Sequence, residues 1–241
     1  MSDEAIKPIL INEILVRLFN HVYRVIDQNA GEKGIECVKR GIALIGDNRV
    51  SQIRNAIRDI ENSDLLMGII EEQYAFTQEK IDTKKQLTIY GLMAVLFEYI
   101  SKEVVDTFGE KGEDLMREGV THFGLERGQD IARRAELRGQ VNNTQNYLHN
   151  YDMGRSDLFE YDTIYRENEI EQTFHRCPFG EQWKNDDMGE YGILYCQVID
   201  PSIAKGYHSS FQVIHDQYII NEGICHFKFQ LLDNPQTENK H

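Results

Sequence analysis

The sequence predicts an α+β protein: a helical N-terminal two-thirds with a duplicated helical hairpin, then a small antiparallel sheet with short helices. Three observations carry this. The four prolines are Pro8, Pro178, Pro201 and Pro235, so residues 9–177 contain none. Long helices need such a stretch, because an interior proline removes a hydrogen bond and clashes with the preceding turn. Within it, apolar residues recur at three- and four-residue spacing, the signature of amphipathic helices. Beyond about residue 150 the pattern turns to short, aromatic, partly alternating segments bounded by turn residues, and helices followed by strands read as α+β.

The elements follow in order. Ile11, Ile14, Leu15, Leu18, Phe19, Val22 and Ile26 mark the apolar face of a first helix; Ile35, Val38, Ile42 and Ile45 mark a second, and Val50, Ile53, Ile57 and Ile60 a third. A helix is predicted over residues 64–80 with Asp64 near its N-cap, and another over residues 87–107 through Met93, Leu96, Phe97, Ile100 and Val104. Strands are expected at residues 158–165, 171–177, 192–199, 210–218 and 224–231, with Asn221-Glu222-Gly223 turning between the last two. Short helices are expected at 179–187 and 201–206, and residues 234–241 form a polar tail.

The helical part repeats itself at an offset of 78. Gly31-Glu32-Lys33-Gly34 returns as Gly109-Glu110-Lys111-Gly112, Leu18-Phe19 as Leu96-Phe97, and Gly41, Gly46, Arg49 and Ile53 as Gly119, Gly124, Arg127 and Ile131. The unit reads as helix, glycine turn, helix, glycine turn, helix, and the two copies are expected to superpose. Residues 1–80 are then a first helical region, 81–233 an α+β unit holding the second copy and the sheet, and 234–241 the tail. The duplicated helices offer a platform for a homodimer. Where the copies differ, chemistry has room: His122 replaces Leu44, and Arg133-Arg134 replace Asn55-Ala56. His122 and Arg134 are candidates to hold substrate, Arg134 by bidentate contact with a carboxylate.

Charge and composition exclude several classes. Hydrophobic residues make up 41% of 241, so the chain can build a core without disulfides. The net charge of −14 repels phosphate backbones and acidic membrane surfaces, so nucleic acid and membrane are not expected partners. No apolar run is long enough to span a bilayer, and the acidic start Met1-Ser2-Asp3-Glu4 is unlike a signal peptide. Four cysteines read as reduced thiols, and the expected location is cytoplasmic.

Three cysteines fall in the C-terminal third, in Cys177-Pro178-Phe179-Gly180-Glu181, Cys196-Gln197-Val198-Ile199-Asp200 and Glu222-Gly223-Ile224-Cys225-His226-Phe227. Their spacings match no zinc-finger pattern, and buried cysteines commonly pack as small hydrophobes. As an ordered set they are more specific. The helical region followed by these three motifs resembles the L-2-amino-thiazoline-4-carboxylic acid hydrolase family over residues 87–232. The resemblance implies hydrolytic opening of a small cyclic amidine-like or related C–N compound. The last strand is also similar to the small-molecule-binding domains named after vinyl reductase, some of which hold zinc through cysteines and an acidic residue. That resemblance implies the alternative of a non-enzymatic binding domain, with Cys177, Cys196, Cys225 and Glu181 as zinc ligands; otherwise no cofactor is expected.

The chemistry of ring opening needs an activated water or thiolate and an acid for the departing atom. Cys177 precedes a helix start, where the helix N-terminus would favour thiolate. Glu181, on the first turn of that helix, stands close enough to act as base. Asp200 precedes Pro201 and reads as an N-cap at the strand end. His175, two residues before Cys177, would share its strand face and partner it. His208 is expected in a loop, and His215 and His226 in paired strands. The sequence therefore nominates Cys177, Glu181, Asp200 and His175 as the catalytic set, acting on a small-molecule substrate.

Overall fold

The computed structural model describes residues 9–74, 86–152 and 157–232. Residues 75–80 of the helix expected at 64–80, the acidic start and the tail at 234–241 lie outside these. The chain forms ten helices and four strands among the described residues: α1 (Ile11–Leu44), α2 (Asp47–Ile57), α3 (Asp64–Gln73), α4 (Ile89–Phe108), α5 (Glu110–Leu137), α6 (Thr144–His149), β1 (Glu160–Tyr165), β2 (Glu169–Arg176), α7 (Pro178–Asn185), α8 (Gly189–Cys196), α9 (Ile199–Tyr207), β3 (Phe211–Gln217), α10 (Ile219–Glu222) and β4 (Cys225–Leu231). This is the expected α+β arrangement.

The helical body is built on α4, whose side chains are buried from Tyr90 to Phe97 and again at Ile100 and Val104. Thr88 caps it, its hydroxyl accepting from the Gly91 N–H at 3.1 Å. Helices α1 and α5 pack on α4 and on each other. One apolar core runs from Ile14 to Phe229 through both halves of the chain. Trp183 of α7 is fully buried and donates its indole N–H to the Ala94 carbonyl at 3.2 Å, tying the region after the sheet's first hairpin to α4.

The sheet is antiparallel throughout, in the order β1-β2-β4-β3. Its inner face carries Ile170, Phe174, Phe211, Phe227 and Phe229, and α6 and α9 lie against it. Two ladder irregularities matter later. Glu160 pairs with Arg176 but Tyr161 with Phe174, leaving His175 as an extra residue; His215 pairs with Phe227 but Gln217 with His226, leaving Asp216. Such bulges re-aim the side chains that follow.

The structure departs from the sequence expectations in four places. Residues 192–199 form no strand: they are the end of α8, a turn, and the start of α9. A short continuous apolar run reads identically as buried strand or buried helix, and here Leu194, Tyr195 and Ile199 are buried by helical packing. Asp200 is consequently no N-cap; Val198 holds that position and Asp200 lies in the first turn of α9. The helices predicted over residues 11–26 and 35–45 are two arms of one bent element. Finally, the two copies of the repeat share a bend and then diverge. Gly31 and Gly109 have nearly the same backbone, φ 56° and ψ −147° against φ 60° and ψ −137°, a conformation that glycine adopts without Cβ strain. Gly46, at φ 93°, then ends the first copy's helix, whereas Gly124 sits inside the uninterrupted α5. There it admits α9: a Cβ on Gly124 would lie 2.6 Å from Ser202, and one on Gly128 only 2.1 Å from the Ile203 carbonyl oxygen.

Candidate active site

The sheet does not close completely on the helical body. Between them lies a cavity of about 210 Å³ whose wall includes Arg127 of α5, Tyr147 of α6, Tyr195 and Cys196 of α8, Asp200 of α9, Cys177, and the inner-face side chains of the sheet. That volume is below the roughly 300–1,000 Å³ of drug-sized ligand sites and suits a small molecule. Half of its lining residues are tyrosine or phenylalanine.

Arg127 is the buried arginine of the wall. Its Nε donates to one oxygen of Asp152 at 2.8 Å and its Nη2 to the other at 2.6 Å, both residues being buried. Burial works against ionising either residue, but the pair overrides it: Arg127 is held above its ordinary value and Asp152 below its own. Aromatic faces enclose the guanidinium, with its carbon 5.3 Å from the Phe123 ring centre and 5.5 Å from that of Tyr151. Its Nη1 is buried without a well-formed hydrogen bond, although the Tyr151 hydroxyl approaches the guanidinium, and the Tyr147 hydroxyl is buried without a partner. Tyr147 is wedged by rings, with centres 4.9 Å from Phe211, 5.1 Å from Tyr207 and 5.4 Å from Phe229.

Asp200 and His215 line the same cavity. Burial pushes the Asp200 carboxyl up, against the attraction of His215 and Arg127. Burial pushes the His215 imidazole down, against the attraction of Asp200. Both shifts run toward the neutral forms. Neither ring nitrogen of His215 has a good hydrogen-bond partner, although the ring approaches the Gln217 and Cys196 backbone. It lies against the Tyr218 ring, centres 4.0 Å apart, and edge-on to Phe227 at 5.1 Å.

Cys177, Cys196 and Cys225 all reach this cavity. Cys177 is the N-cap of α7; its side chain makes no cap hydrogen bond, but the nearby Gly180 and Phe179 N–H groups work to lower its pKa. Yet burial outweighs them and pushes its thiol up to about 12, so the expected thiolate is not favoured. Burial raises Cys225 to about 11 and raises Cys196 as well, and the Ile219 N–H points at the Cys225 sulfur at 3.2 Å.

The remaining nominated residues lie elsewhere. His175 is the extra residue of the β2 bulge, so period-two counting fails there; it is exposed and contacts Asp162 at 3.0 Å. Glu181 points outward and pairs with Arg176 at 2.8 Å. His122 is on the exposed face of α5. Arg134 is buried but commits its Nε and Nη2 to the Asn150 carbonyl at 3.2 and 3.1 Å, and burial lowers its basicity. None of the four lines the cavity. Arg133 is exposed and pairs with Asp130, and His226 faces away from the cavity, between Asp216 and Glu171. His208 follows the end of α9. With Glu181 turned away, no group of three or more His, Cys, Asp and Glu side chains among the described residues is arranged to hold a metal ion.

Sequence reasoning missed Arg127, Asp152, Tyr147 and Tyr151, and gave His215 no role. Arg127 carried a signal: an arginine at a phase otherwise filled by buried residues of α5 must bring a counter-charge with it. Comparison with known proteins adds a frame. No curated protein and no solved structure matches the chain. A family model described as L-2-amino-thiazoline-4-carboxylic acid hydrolase matches residues 89–229, more than half of the chain, from the first turn of α4 almost to the end of β4. Every residue lining the cavity falls inside that range.

Proposed function

The chain belongs to the L-2-amino-thiazoline-4-carboxylic acid hydrolase family, and from that premise we propose that it hydrolyses a C–N bond of a small cyclic compound held between the sheet and the helical body. No helix among the described residues is long and apolar enough to cross a membrane, and the reaction is read as that of a cytoplasmic enzyme. One observation carries the assignment of roles: Asp200 and His215 face the same cavity, and burial pushes them in opposite directions. Two titratable groups separated in this way supply an acid and a base at neutral pH.

In this reading His215, unprotonated, takes a proton from water as the water oxygen bonds to the electrophilic ring carbon. The ring C–N bond breaks, and its electron pair takes the proton carried by Asp200. The imidazolium then returns its proton to the Asp200 carboxylate, which restores both groups after one water has been consumed. Cys177, with its thiol pushed up to about 12, is a wall residue and not the nucleophile.

The test is turnover of a panel of small lactams, cyclic imides and thiazolines, followed by mass spectrometry of the ring-opened product. Removing a general acid or base lowers rate by about 10²–10⁴-fold. Asp200→Asn and His215→Gln are expected to lose that much from kcat, while Cys177→Ser keeps activity within about threefold. Full activity in Asp200→Asn would overturn the acid–base pairing of Asp200 with His215. Loss of turnover confined to Cys177→Ser would restore the thiol as nucleophile.

A further inference from the structure

The cavity also restricts the charge and shape of what enters it. Three of its residues bring buried polar atoms with no well-formed hydrogen bond: Arg127 through Nη1, Tyr147 through its hydroxyl, and His215 through its ring nitrogens. Buried groups of this kind cost free energy until something pairs with them, and all three residues belong to the cavity wall. Arg127 Nη1 and the Tyr147 hydroxyl are donors, so they ask for an acceptor oxygen. Around them the wall is aromatic: Tyr151, Phe159, Phe174, Tyr195 and Phe227 present rings to the space.

The cavity offers a charged ligand no free counter-charge. Arg127 is the cation of the lining, and Asp152 already neutralises it through two hydrogen bonds. Asp200 and His215 are both driven by burial toward their uncharged forms. An anion would enter an apolar space whose positive charge is already matched, and a cation would have to ionise Asp200 beside Arg127. An anion would find the two donors but no net positive charge to offset its lost hydration, and a cation would find neither an acceptor nor a free carboxylate.

We propose that the cavity selects a neutral, planar, ring-bearing compound with a carbonyl oxygen, of the carboxamide, lactam or imide class, rather than a carboxylate or an amidinium. The ring lies among the aromatic side chains, and the oxygen accepts from Arg127 Nη1 and the Tyr147 hydroxyl. This rests on the cavity being the catalytic site, but it concerns binding and stands apart from the roles of Asp200 and His215. The compound named in the family description carries a carboxylate, so the proposal separates this chain's ligand from that one.

Three near-isosteric probes differ in the charge and the hydrogen-bonding atoms of one planar group: benzamide has a neutral carbonyl acceptor, benzoate a charged acceptor, and benzamidine a charged donor with no acceptor oxygen. Cyclohexanecarboxamide removes the flat ring and keeps the amide. Binding to the full chain is read by ligand-observed NMR titration near neutral pH. Benzamide is expected to bind at least about tenfold more tightly than benzoate, benzamidine or cyclohexanecarboxamide, the scale set by one lost or uncompensated hydrogen bond. Tyr147→Phe deletes only an unpartnered hydroxyl, so its melting temperature should not fall, while benzamide affinity drops about threefold to tenfold. The proposal fails if benzoate or benzamidine equals benzamide, if the saturated ring binds as well, if Tyr147→Phe leaves benzamide affinity unchanged, or if none of the probes binds at about ten millimolar. Catalytic failure is separable: Asp200→Asn that retains full turnover while benzamide selectivity holds overturns the acid–base roles and leaves the binding inference standing.

Discussion

Arg49 and Arg127 stand 78 residues apart at matching places in the two copies, and each is committed to an aspartate through two hydrogen bonds. Arg127 grips Asp152, and Arg49 grips Asp186 at 2.7 Å through both terminal nitrogens. Around Asp186 a second buried carboxyl completes the cluster. Glu98 of α4 has no exposed surface, and burial, followed by its contact with Asp186, pushes it up to about 10. A protonated Glu98 donates to Asp186, whereas an ionised one would leave both oxygens unpaired. Because the folded state keeps this proton after the unfolded chain has released it, the group's effect on stability has a definite sign. Stability falls as pH rises from the ordinary value of 4.5 toward about 10. Glu98→Gln keeps a donor toward Asp186 at every pH. The variant is therefore expected to gain on the native protein between about pH 5 and pH 9, with a ceiling of about 1.4 kcal/mol per pH unit. Urea unfolding across that range measures the gap, and a gap that does not widen with pH shows that Glu98 is ionised in the fold.

At the scale of elements, glycine decides how closely α5 and α9 approach. A Cβ at Gly128 would sit 2.1 Å from the Ile203 carbonyl oxygen, so the two backbones must separate to admit it. Gly128→Ala is expected to cost about 1–3 kcal/mol from overpacking, although alanine is the better helix former. The matched control is Gly68 of α3, which is helical, exposed and free of neighbours within 4 Å; Gly68→Ala should gain about 0.5–1 kcal/mol. Denaturant midpoints at constant slope separate the two, and a stabilised Gly128→Ala would mean that the helices are not in contact there. Elements also differed in how readable they were from sequence. Amphipathic spacing located α1, α2, α4 and the strands flanking the cavity. It failed at residues 192–199, where a continuous apolar run has no period to reveal whether it is helix or strand. It failed at His175 as well, because a bulge moves a residue to the other face without leaving any mark in composition.

For the molecule as a whole, the division into helices and sheet was legible, since proline placement and strand composition are properties of long segments. The family resemblance was legible from three short cysteine motifs. The site was legible only in part: Cys177 and Asp200 reach the cavity, but Glu181, His175, His122 and Arg134 do not. Its wall is gathered from α5 to β4, and no local pattern encodes which side chains of distant elements will meet. That assembly has a kinetic consequence. The cavity lies on the seam where the sheet docks against α6 and α9, with α5 and α8 completing its wall, so it ceases to exist whenever the sheet swings away. A bound molecule must leave before that excursion occurs, and occupancy therefore acts as a brake on the seam. Amide hydrogen exchange in β2 and β4 should slow by roughly the factor 1 + [L]/Kd when benzamide is added, while amides of α2 and α3, remote from the seam, keep their rates. Uniform slowing along the whole chain would mean that sheet and helices open only together, as one cooperative unit.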